Sequence, residues 1–295
     1  ILKVPVVSVG ATVVKEKAVI AVSNDAEEST VDIAVGGVTT SVSVPKGAKI
    51  ASEGAKVTAA EANQVAQELV ASVARSFGLS DEESTSIRDS YNKTIAQVSA
   101  KLVDIVENVS VSSISLSAQA DDAGNKAISV SGAEAVEGES AITVLDRSEV
   151  DSSVAVNVSN LPNVVMVGAG KVVVTDDTNS AIFGDSFDQE IVGGSGSDTL
   201  VGGGGTDTLV GGSGDDEFGF NTISDFVIGD FGSGADSFNF GFDGINSIDD
   251  LVPYLTSSAN VDGNATYTFL DGDATVTLTG LTLEEVTADM INFTL

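Results

Sequence analysis

Three aspartates in the C-terminal half of the chain, Asp198, Asp207 and Asp216, lie nine residues apart, and each ends a glycine-rich hexapeptide. Three consecutive nonapeptides share the pattern G-G-x-G-x-D-x-apolar-x, over residues 193–201, 202–210 and 211–219. Aspartate supplies a hard carboxylate oxygen, and glycine permits turns in which carbonyl oxygens converge on one ion. These donors suit Ca²⁺, which takes about six to eight oxygen ligands. The spacing therefore predicts a row of calcium-binding turns.

The candidate ligands are the glycines and the aspartate of each repeat, together with neighbours in the same phase. A shifted copy of the pattern over residues 232–238 adds two of them. The predicted calcium-binding residues are Gly193, Gly194, Gly196, Asp198, Gly202, Gly203, Gly205, Asp207, Gly211, Gly212, Gly214, Asp216, Asp225, Gly234 and Asp236.

One nonapeptide can form a six-residue turn followed by a three-residue strand, so that two nonapeptides make one coil of a parallel solenoid. The apolar residue of each strand then points inward, and a plain flexible glycine linker would not place apolar residues at this regular spacing. The apolar phase extends beyond the repeats, which predicts that the coils begin near residue 157. The turn at 184–188 keeps the spacing but loses the glycines, which predicts a metal-poor cap. The residues nine apart are Val164, Val173, Ile182, Ile191, Leu200, Leu209, Phe218 and Val227.

A coil of two nonapeptides places every second turn on the same side of the solenoid. We therefore expect Asp198 to face Asp216 along one row of ions. On the opposite side we expect Asp207 to face Asp225, with Gln189 before it as a weaker ligand.

The charge distribution supports the need for cations. The chain has 44 acidic and 13 basic residues, and the last basic residue is Lys171. The stretch after Lys171 carries a formal charge of −22, whereas the part up to and including Lys171 carries −9. Such a stretch either is disordered or is neutralised by cations, and its Val, Leu, Ile and Phe content favours the second reading. Nucleic-acid binding is disfavoured, because phosphate contacts need clustered Lys and Arg.

The absence of two residue types narrows the chemistry. The chain has no Cys, which excludes disulfides and thiolate metal sites, and no His, which removes imidazole bases and the usual zinc ligand. No apolar run approaches the length of a membrane-spanning helix, so we expect no membrane span. The chain begins at Ile1 without a signal peptide, and we expect either a processed N-terminus or the C-terminal part of a longer protein.

Upstream of the repeats the pattern alternates between strands and helices. Alternating residues on either side of Gly36-Gly37 predict a β-hairpin over 31–44. Thr58 with Glu61 forms a capping box that predicts a helix, and a second amphipathic stripe continues to Val109. The two stripes are expected to pack on each other or on neighbouring sheets, with a partner-binding coiled coil as the alternative.

At the repeats the chain resembles the RTX (repeats-in-toxin) family, and the resemblance extends over roughly 175–295. The segments Ile223 to Phe226, Asp236 to Phe240 and Ile248 to Leu251 are similar to the region after the family's β-roll. The final stretch Asp289 to Leu295, an acid followed by apolar residues, is similar to an uncleaved type I export signal. The resemblance implies Ca²⁺ binding, contact with the type I secretion machinery, and a location outside or on the surface of a Gram-negative-type bacterium.

The resulting fold class is mainly β, with a helical hairpin inserted in an N-terminal β-rich region, then a parallel β-roll and a C-terminal β secretion domain. The predicted division is a β-rich region over 1–57, a helical hairpin over 58–110, a β-rich segment over 111–156, the β-roll over 157–240 and the secretion domain over 241–295.

Three functions fit these features. The first is a structural or adhesive cell-surface protein, such as a subunit of a surface layer, filament or matrix, and it requires no catalysis. The second is a His-free enzyme acting on polysaccharides through carboxylates; adjacent acids such as Asp176-Asp177 point to opposite faces of a strand and make a poor catalytic pair. The third is the calcium-binding secretion module of a larger RTX adhesin or toxin. The strand-prone residues 1–14 predict self-association by strand pairing, with an ordinary strand of the same domain as the alternative.

Overall fold

The chain is mainly β, as the sequence predicts, and it divides into two compact units, Ile1–Gly170 and Lys171–Leu295. The computed structural model describes residues 4–7, 14–21, 28–35, 37–45, 47–58, 61–68, 108–118, 127–133, 139–231, 234–242 and 244–293. Each unit is built from two sheets that bury their facing side chains.

The first unit combines antiparallel and parallel pairing. One sheet has the order β1-β2-β5-β6-β8-β10 and the other the order β3-β4-β7-β9. Pairing is antiparallel from β1 to β6, and parallel among β6, β8 and β10 and between β7 and β9. The strands are β1 Val4–Val7, β2 Val14–Ala21, β3 Glu28–Val35, β4 Val38–Pro45, β5 Lys49–Thr58, β6 Asn108–Ala118, β7 Ile128–Ser131, β8 Glu139–Val150, β9 Val156–Ser159 and β10 Asn163–Val167.

Parallel coils therefore begin upstream of residue 157, and the predicted starting point is too late. Strands β6 and β8 have 11 and 12 residues and pair Val109 with Ser140, a step far longer than two nonapeptides. A search for apolar residues nine apart cannot detect coils of this length. Val109, which the sequence assigns to a helical stripe, is a fully buried strand residue.

Two local predictions in the first unit are confirmed. Strands β3 and β4 form the expected hairpin, with Val35 paired to Val38 and Gly37 in a left-handed conformation at φ 82°. Residues 61–68 are helical (α1), and both the backbone N–H and the hydroxyl of Thr58 donate to the Glu61 carboxylate at 3.2 and 2.8 Å. The rest of the predicted helical hairpin lies outside the described residues.

The second unit is a parallel two-sheet roll. One sheet has the order β12-β14-β16-β18-β22, and the other runs β11-β13-β15-β17-β21-β20-β19, with an antiparallel β19-β20-β21 end. The elements are β11 Gly170–Val174, β12 Ala181–Phe183, β13 Gln189–Gly194, β14 Thr199–Val201, β15 Thr206–Gly212, β16 Glu217–Phe220, β17 Asp225–Ile228, β18 Ser237–Phe240, helix α2 Ile248–Leu251, 3₁₀ turn Val252–Tyr254, β19 Leu255–Val261, β20 Asn264–Phe269, 3₁₀ turn Leu270–Gly272, β21 Ala274–Leu278, 3₁₀ turn Ala288–Met290 and β22 Ile291–Asn292.

The core of the roll includes two columns of stacked side chains, one from each sheet. Neighbours within a column occupy paired positions of adjacent parallel strands, so each apolar residue covers the one before it and excludes water from the narrow interior. The first column is Ile182, Leu200, Phe218, Phe238 and Ile291, and the second is Ile191, Leu209, Ile228 and Leu278.

The nine-residue phase holds from Ile182 to Phe218 and fails on both sides. Val173 is only partly buried, because β11 turns Val172 and Val174 inward, one residue out of phase. Val227 is also partly buried, and Ile228 takes the core position ten residues after Phe218. An extra residue in the turn between β16 and β17 shifts the strand by one position, and a shift of one residue reverses which side chains face the core.

The segment after the repeats adds strands to the roll. Phe226 pairs with Val276 and Phe238 with Ile291, both in parallel register, so β21 and β22 form one more layer on the two sheets. Strands β20 and β21 form an antiparallel hairpin in which Tyr267 pairs with Val276. None of the helices in the described ranges is long and apolar enough to cross a membrane.

Candidate metal centre

The aspartate that ends each glycine-rich turn uses one carboxylate oxygen to hold the preceding coil. Oδ1 of Asp198 accepts the backbone N–H of Ser180 at 2.7 Å, and Oδ1 of Asp216 accepts that of Asp198 at 2.8 Å. On the opposite side Oδ1 of Asp207 accepts the N–H of Gln189 at 2.9 Å. The predicted pairing of Asp198 with Asp216 is therefore confirmed, and each contact spans 18 residues.

The second oxygen of the same three carboxylates has no hydrogen-bond partner. The Oδ2 atoms of Asp198, Asp207 and Asp216 have no hydrogen-bond partner. Water does not replace that partner, because each residue is at most 2 % exposed. A buried charged oxygen without a partner is costly, since it has lost its water without compensation. A cation bound beside each Oδ2 supplies that compensation, so these atoms fit a metal site.

In the metal-free protein, burial raises the pKa of the three turn-ending carboxyl groups. Loss of hydration raises the pKa of Asp198 and of Asp207 to about 7, with smaller contributions from neighbouring carboxylates. Burial likewise raises the pKa of Asp216. The single basic residue of the second unit, Lys171, lies at 2.6 Å from the Glu190 carboxylate. The turns therefore attract either protons or external cations.

Glycine is required where the turns close around the carboxylates. A Cβ built on Gly193 would lie 2.5 Å from Oδ2 of Asp198 and 2.6 Å from the carbonyl oxygen of Gly211. A Cβ on Gly202 would lie 2.7 Å from Cγ of Asp207. The space that a side chain would fill is thus lined by a carboxylate and by glycine carbonyls, which are the donors that Ca²⁺ prefers.

The remaining predicted glycines shape the turns through their backbone conformation. Left-handed φ values between 90° and 133° occur there, which only glycine adopts at little cost. The residues are Gly194, Gly203, Gly205, Gly212 and Gly214. Gly196 and Gly211 have no such φ but approach backbone or carboxylate atoms too closely for a Cβ, and the same holds for Gly234, which approaches the Gly214 carbonyl.

No three acidic side chains in the described ranges come together as a metal cluster. Among the described residues, an ion at these turns would therefore take at most two carboxylates and complete its shell with backbone carbonyls. That ligand set is all oxygen and suits Ca²⁺ rather than a metal that prefers nitrogen or sulfur.

Asp236, a candidate ligand from the shifted copy, lies in the same row as Asp198 and Asp216. Its Oδ1 accepts the backbone N–H of Asp216 at 2.9 Å across 20 residues instead of 18. The row on this side therefore runs Ser180, Asp198, Asp216 and Asp236.

Asp225 does not face Asp207, and this predicted pairing is wrong. In the β15-β17 ladder Asp225 lies opposite Thr206, because the offset between these strands is one position longer than between β13 and β15. The carboxylate of Asp225 instead accepts the N–H and hydroxyl of Thr275 at 2.9 and 2.7 Å. The residue thus fastens β21 to the roll.

Asp230 is not among the predicted site residues, yet its carboxylate binds two adjacent backbone N–H groups at the start of a repeat turn. Oδ1 accepts the N–H of Gly211 at 2.9 Å and Oδ2 that of Gly212 at 2.7 Å. Asp230 lies 18 residues after Gly212, and this coil spacing is the sequence signal that could have identified it.

A second ladder of hydrogen bonds lies beside the row of aspartates. In the row each carboxylate accepts from the preceding coil, whereas in the second ladder each acceptor binds the following coil. Side chains at the position before each turn-ending residue accept an N–H from the following coil. Asn179 accepts from Ser197 at 2.9 Å, Ser197 from Asp215 at 3.2 Å and Asp215 from Ala235 at 2.9 Å. Two adjacent positions of the repeat therefore bind each coil to both of its neighbours.

Comparison with known protein families agrees with this geometry. Residues 183–218 match the RTX calcium-binding nonapeptide repeat, in four copies. No curated protein matches the chain. The chain therefore carries RTX-type nonapeptide repeats over residues 183–218, and repeats of this type bind Ca²⁺.

Proposed function

We propose that this chain is a secreted structural or adhesive protein of the cell surface, such as a subunit of a surface layer, filament or matrix, whose roll folds on extracellular calcium. The observation that carries the proposal is the set of buried, unpartnered Oδ2 atoms at Asp198, Asp207 and Asp216. A site that exists only in the folded chain converts the free energy of ion binding into free energy of folding.

Calcium-dependent folding would also make export unidirectional, because the chain would fold only after it has left the cell. In the proposal the chain passes through a type I secretion machinery in an unfolded form, because cytosolic calcium is too scarce to fold the roll. Outside the cell the ions neutralise the acidic unit, and the coils then form. The stretch after Lys171 holds 22 acidic residues and no basic one, so its compaction without cations is opposed by self-repulsion.

Self-association is the second part of the proposal. Strand β1 pairs antiparallel with β2, with Val4 opposite Lys17, and it is the outermost strand of its sheet in the first unit. The terminal strand of a sheet can pair with a strand from another chain. We propose that copies of the chain associate through this strand once calcium has neutralised the acidic surface, and that the chain acts without catalysing a reaction.

The experiment compares the full chain in millimolar Ca²⁺, in millimolar Mg²⁺ and in excess chelator. Far-UV circular dichroism reports folding, while light scattering and electron microscopy report assembly. We expect ordered assemblies and the full strand signal in Ca²⁺. In chelator at neutral pH the assemblies should disappear, and the strand signal should fall by the share that the calcium turns contribute. Mg²⁺ should substitute poorly, because it demands a small octahedral shell. A chain that folds in Ca²⁺ but stays monomeric at high concentration would contradict the structural role while leaving calcium binding intact.

A further inference from the structure

One turn of the roll, residues 184–189, lies in the same row as the calcium turn 202–207 but has a different composition. It reads Gly-Asp-Ser-Phe-Asp-Gln, so Gln189 stands where the repeat has aspartate and Asp185 stands where it has the second glycine. Both side chains are buried, at 3 % and 1 % exposure.

The amide of Gln189 closes this turn with two hydrogen bonds to a single residue. Its Oε1 accepts the backbone N–H of Asp185 at 3.3 Å, and its Nε2 donates to Oδ1 of Asp185 at 2.6 Å. An N–H donor and a carboxylate acceptor fix which end of the amide is oxygen and which is nitrogen. In the next turn of the row, by contrast, Oδ2 of Asp207 is buried without a partner.

The backbone conformation of turn 184–189 also differs from that of the calcium turn 202–207. Gly203 and Gly205 shape turn 202–207 with φ values of 90° and 94°. None of residues 184–189, all of which the structure describes, has a positive φ. The turn thus lacks the left-handed glycines that accompany the unpartnered carboxylate in the calcium turns.

We propose that the Gln189 amide takes the place of a calcium ion in turn 184–189, so that this turn is formed without calcium and templates the calcium turn that follows it. An amide N–H supplies to the Asp185 carboxylate the positive partner that an ion supplies elsewhere.

The contacts between the two turns are suited to templating. Gln189 donates its N–H to Oδ1 of Asp207 at 2.9 Å, and Asp188 accepts the N–H of Thr206 at 2.8 Å. The carbonyl of Asp185 accepts the N–H of Gly204 at 2.6 Å. A turn already held by Gln189 therefore presents three fixed partners to residues 204–207 before any ion binds.

The test is residue-resolved amide hydrogen exchange on the full chain, with and without calcium. In excess chelator, wild-type residues 184–192 should remain at least about tenfold more protected than residues 202–210. Gln189→Glu replaces the amide donor by a second carboxylate at nearly the same volume. It should remove the protection of 184–192 in chelator by about tenfold or more, and millimolar calcium should restore it, because an ion can then bridge the two acids.

Two further variants separate the hydrogen bond from general damage. Asp185→Asn keeps Oδ1 as the acceptor of both the Gln189 amide and the Phe187 backbone N–H, so it should retain protection in chelator. Ser186→Ala, at an exposed position of the same turn, should leave protection unchanged. The proposal is overturned if wild-type residues 184–192 exchange in chelator as fast as 202–210. It is equally overturned if Gln189→Glu keeps its protection in chelator, or if Asp185→Asn loses it.

Discussion

Oδ1 of Asp216 accepts the backbone N–H of Asp198 at 2.8 Å, while Oδ2 of both residues is buried and unpartnered. One carboxylate therefore has two tasks, since it fixes its own coil on the preceding one and leaves an oxygen for a cation. Because both tasks belong to the same side chain, ion binding and coil stacking are coupled. Calcium that holds Oδ2 also orients Oδ1 for the hydrogen bond to the preceding coil.

Replacing Asp207 by Asn should separate these two tasks. The amide oxygen can still accept the N–H of Gln189, but the charge that attracts calcium is lost. We expect the calcium affinity of this site to fall by about tenfold or more, measured by isothermal titration calorimetry. Asp215→Asn is the matched control, because Asp215 is exposed and its carboxylate accepts the N–H of Ala235 in the second ladder. Equal losses in the two variants would contradict the assignment of Asp207.

The glycines of one turn should tolerate alanine unequally. Gly202→Ala would place Cβ 2.7 Å from Cγ of Asp207 and should destabilise the calcium-loaded fold by about 1–3 kcal/mol. Gly204→Ala lies two residues away, where the nearest atom to the new Cβ is Cα of Ser186 at 3.3 Å, and it should change stability by about 0.5 kcal/mol at most. Chemical denaturation in saturating calcium measures both. A Gly204→Ala variant as unstable as Gly202→Ala would show that general crowding of the turn, not contact with the Asp207 carboxylate, sets the requirement for glycine.

Without calcium, stability should rise as the pH falls. Burial raises the pKa of Asp198 and Asp207 from 3.8 to about 7 in the metal-free fold. A carboxyl group whose folded pKa is raised contributes stability that is fully present below its unfolded pKa and lost as pH rises through its folded pKa. We expect the melting temperature in chelator to increase between about pH 7.5 and pH 4.5 from these two groups.

Calcium should reverse that trend, because protons and the ion compete for the same oxygens. The apparent calcium affinity should therefore decrease as the pH is lowered below about 7, where Asp198 and Asp207 begin to take up protons. Melting curves in chelator and in millimolar calcium, recorded over one pH series, measure both effects. A melting temperature in chelator that falls steadily with acidification would contradict the raised pKa values.

Export through a type I machinery predicts that the chain end is needed for transport. Deleting residues 286–295 should retain the protein inside cells that carry a matching transporter, measured by comparing culture medium with cell contents. The deletion also removes β22 and the contact between Phe293 and Phe240, whose ring centroids are 6.1 Å apart. Phe240→Ala removes that contact and leaves residues 286–295 intact, so it is the control. It should be exported normally, since the chain crosses unfolded; retention of both variants would indicate a folding defect instead.

Sequence periodicity alone determined the calcium turns of the central repeats. The nine-residue spacing located Asp198, Asp207 and Asp216, and the coil of two repeats predicted that Asp198 and Asp216 lie in one row. These positions were predictable because each repeat packs on an identical neighbour, so that local pattern and tertiary contact share one period. The lack of His and the charge asymmetry excluded whole classes of chemistry in the same way.

Tertiary structure decided everything that depends on where the period breaks. Because of one additional residue before β17, Asp225 does not lie opposite Asp207, and its carboxylate accepts from Thr275 instead. The same shift leaves Val227 only partly buried. The bidentate contact of Asp230 and the closure of turn 184–189 by the Gln189 amide likewise depend on how neighbouring coils pack. A strand shifted by one residue reverses its inner and outer faces, and the length of a turn is set by how its ends pack on the neighbouring coil, which no spacing in the sequence states.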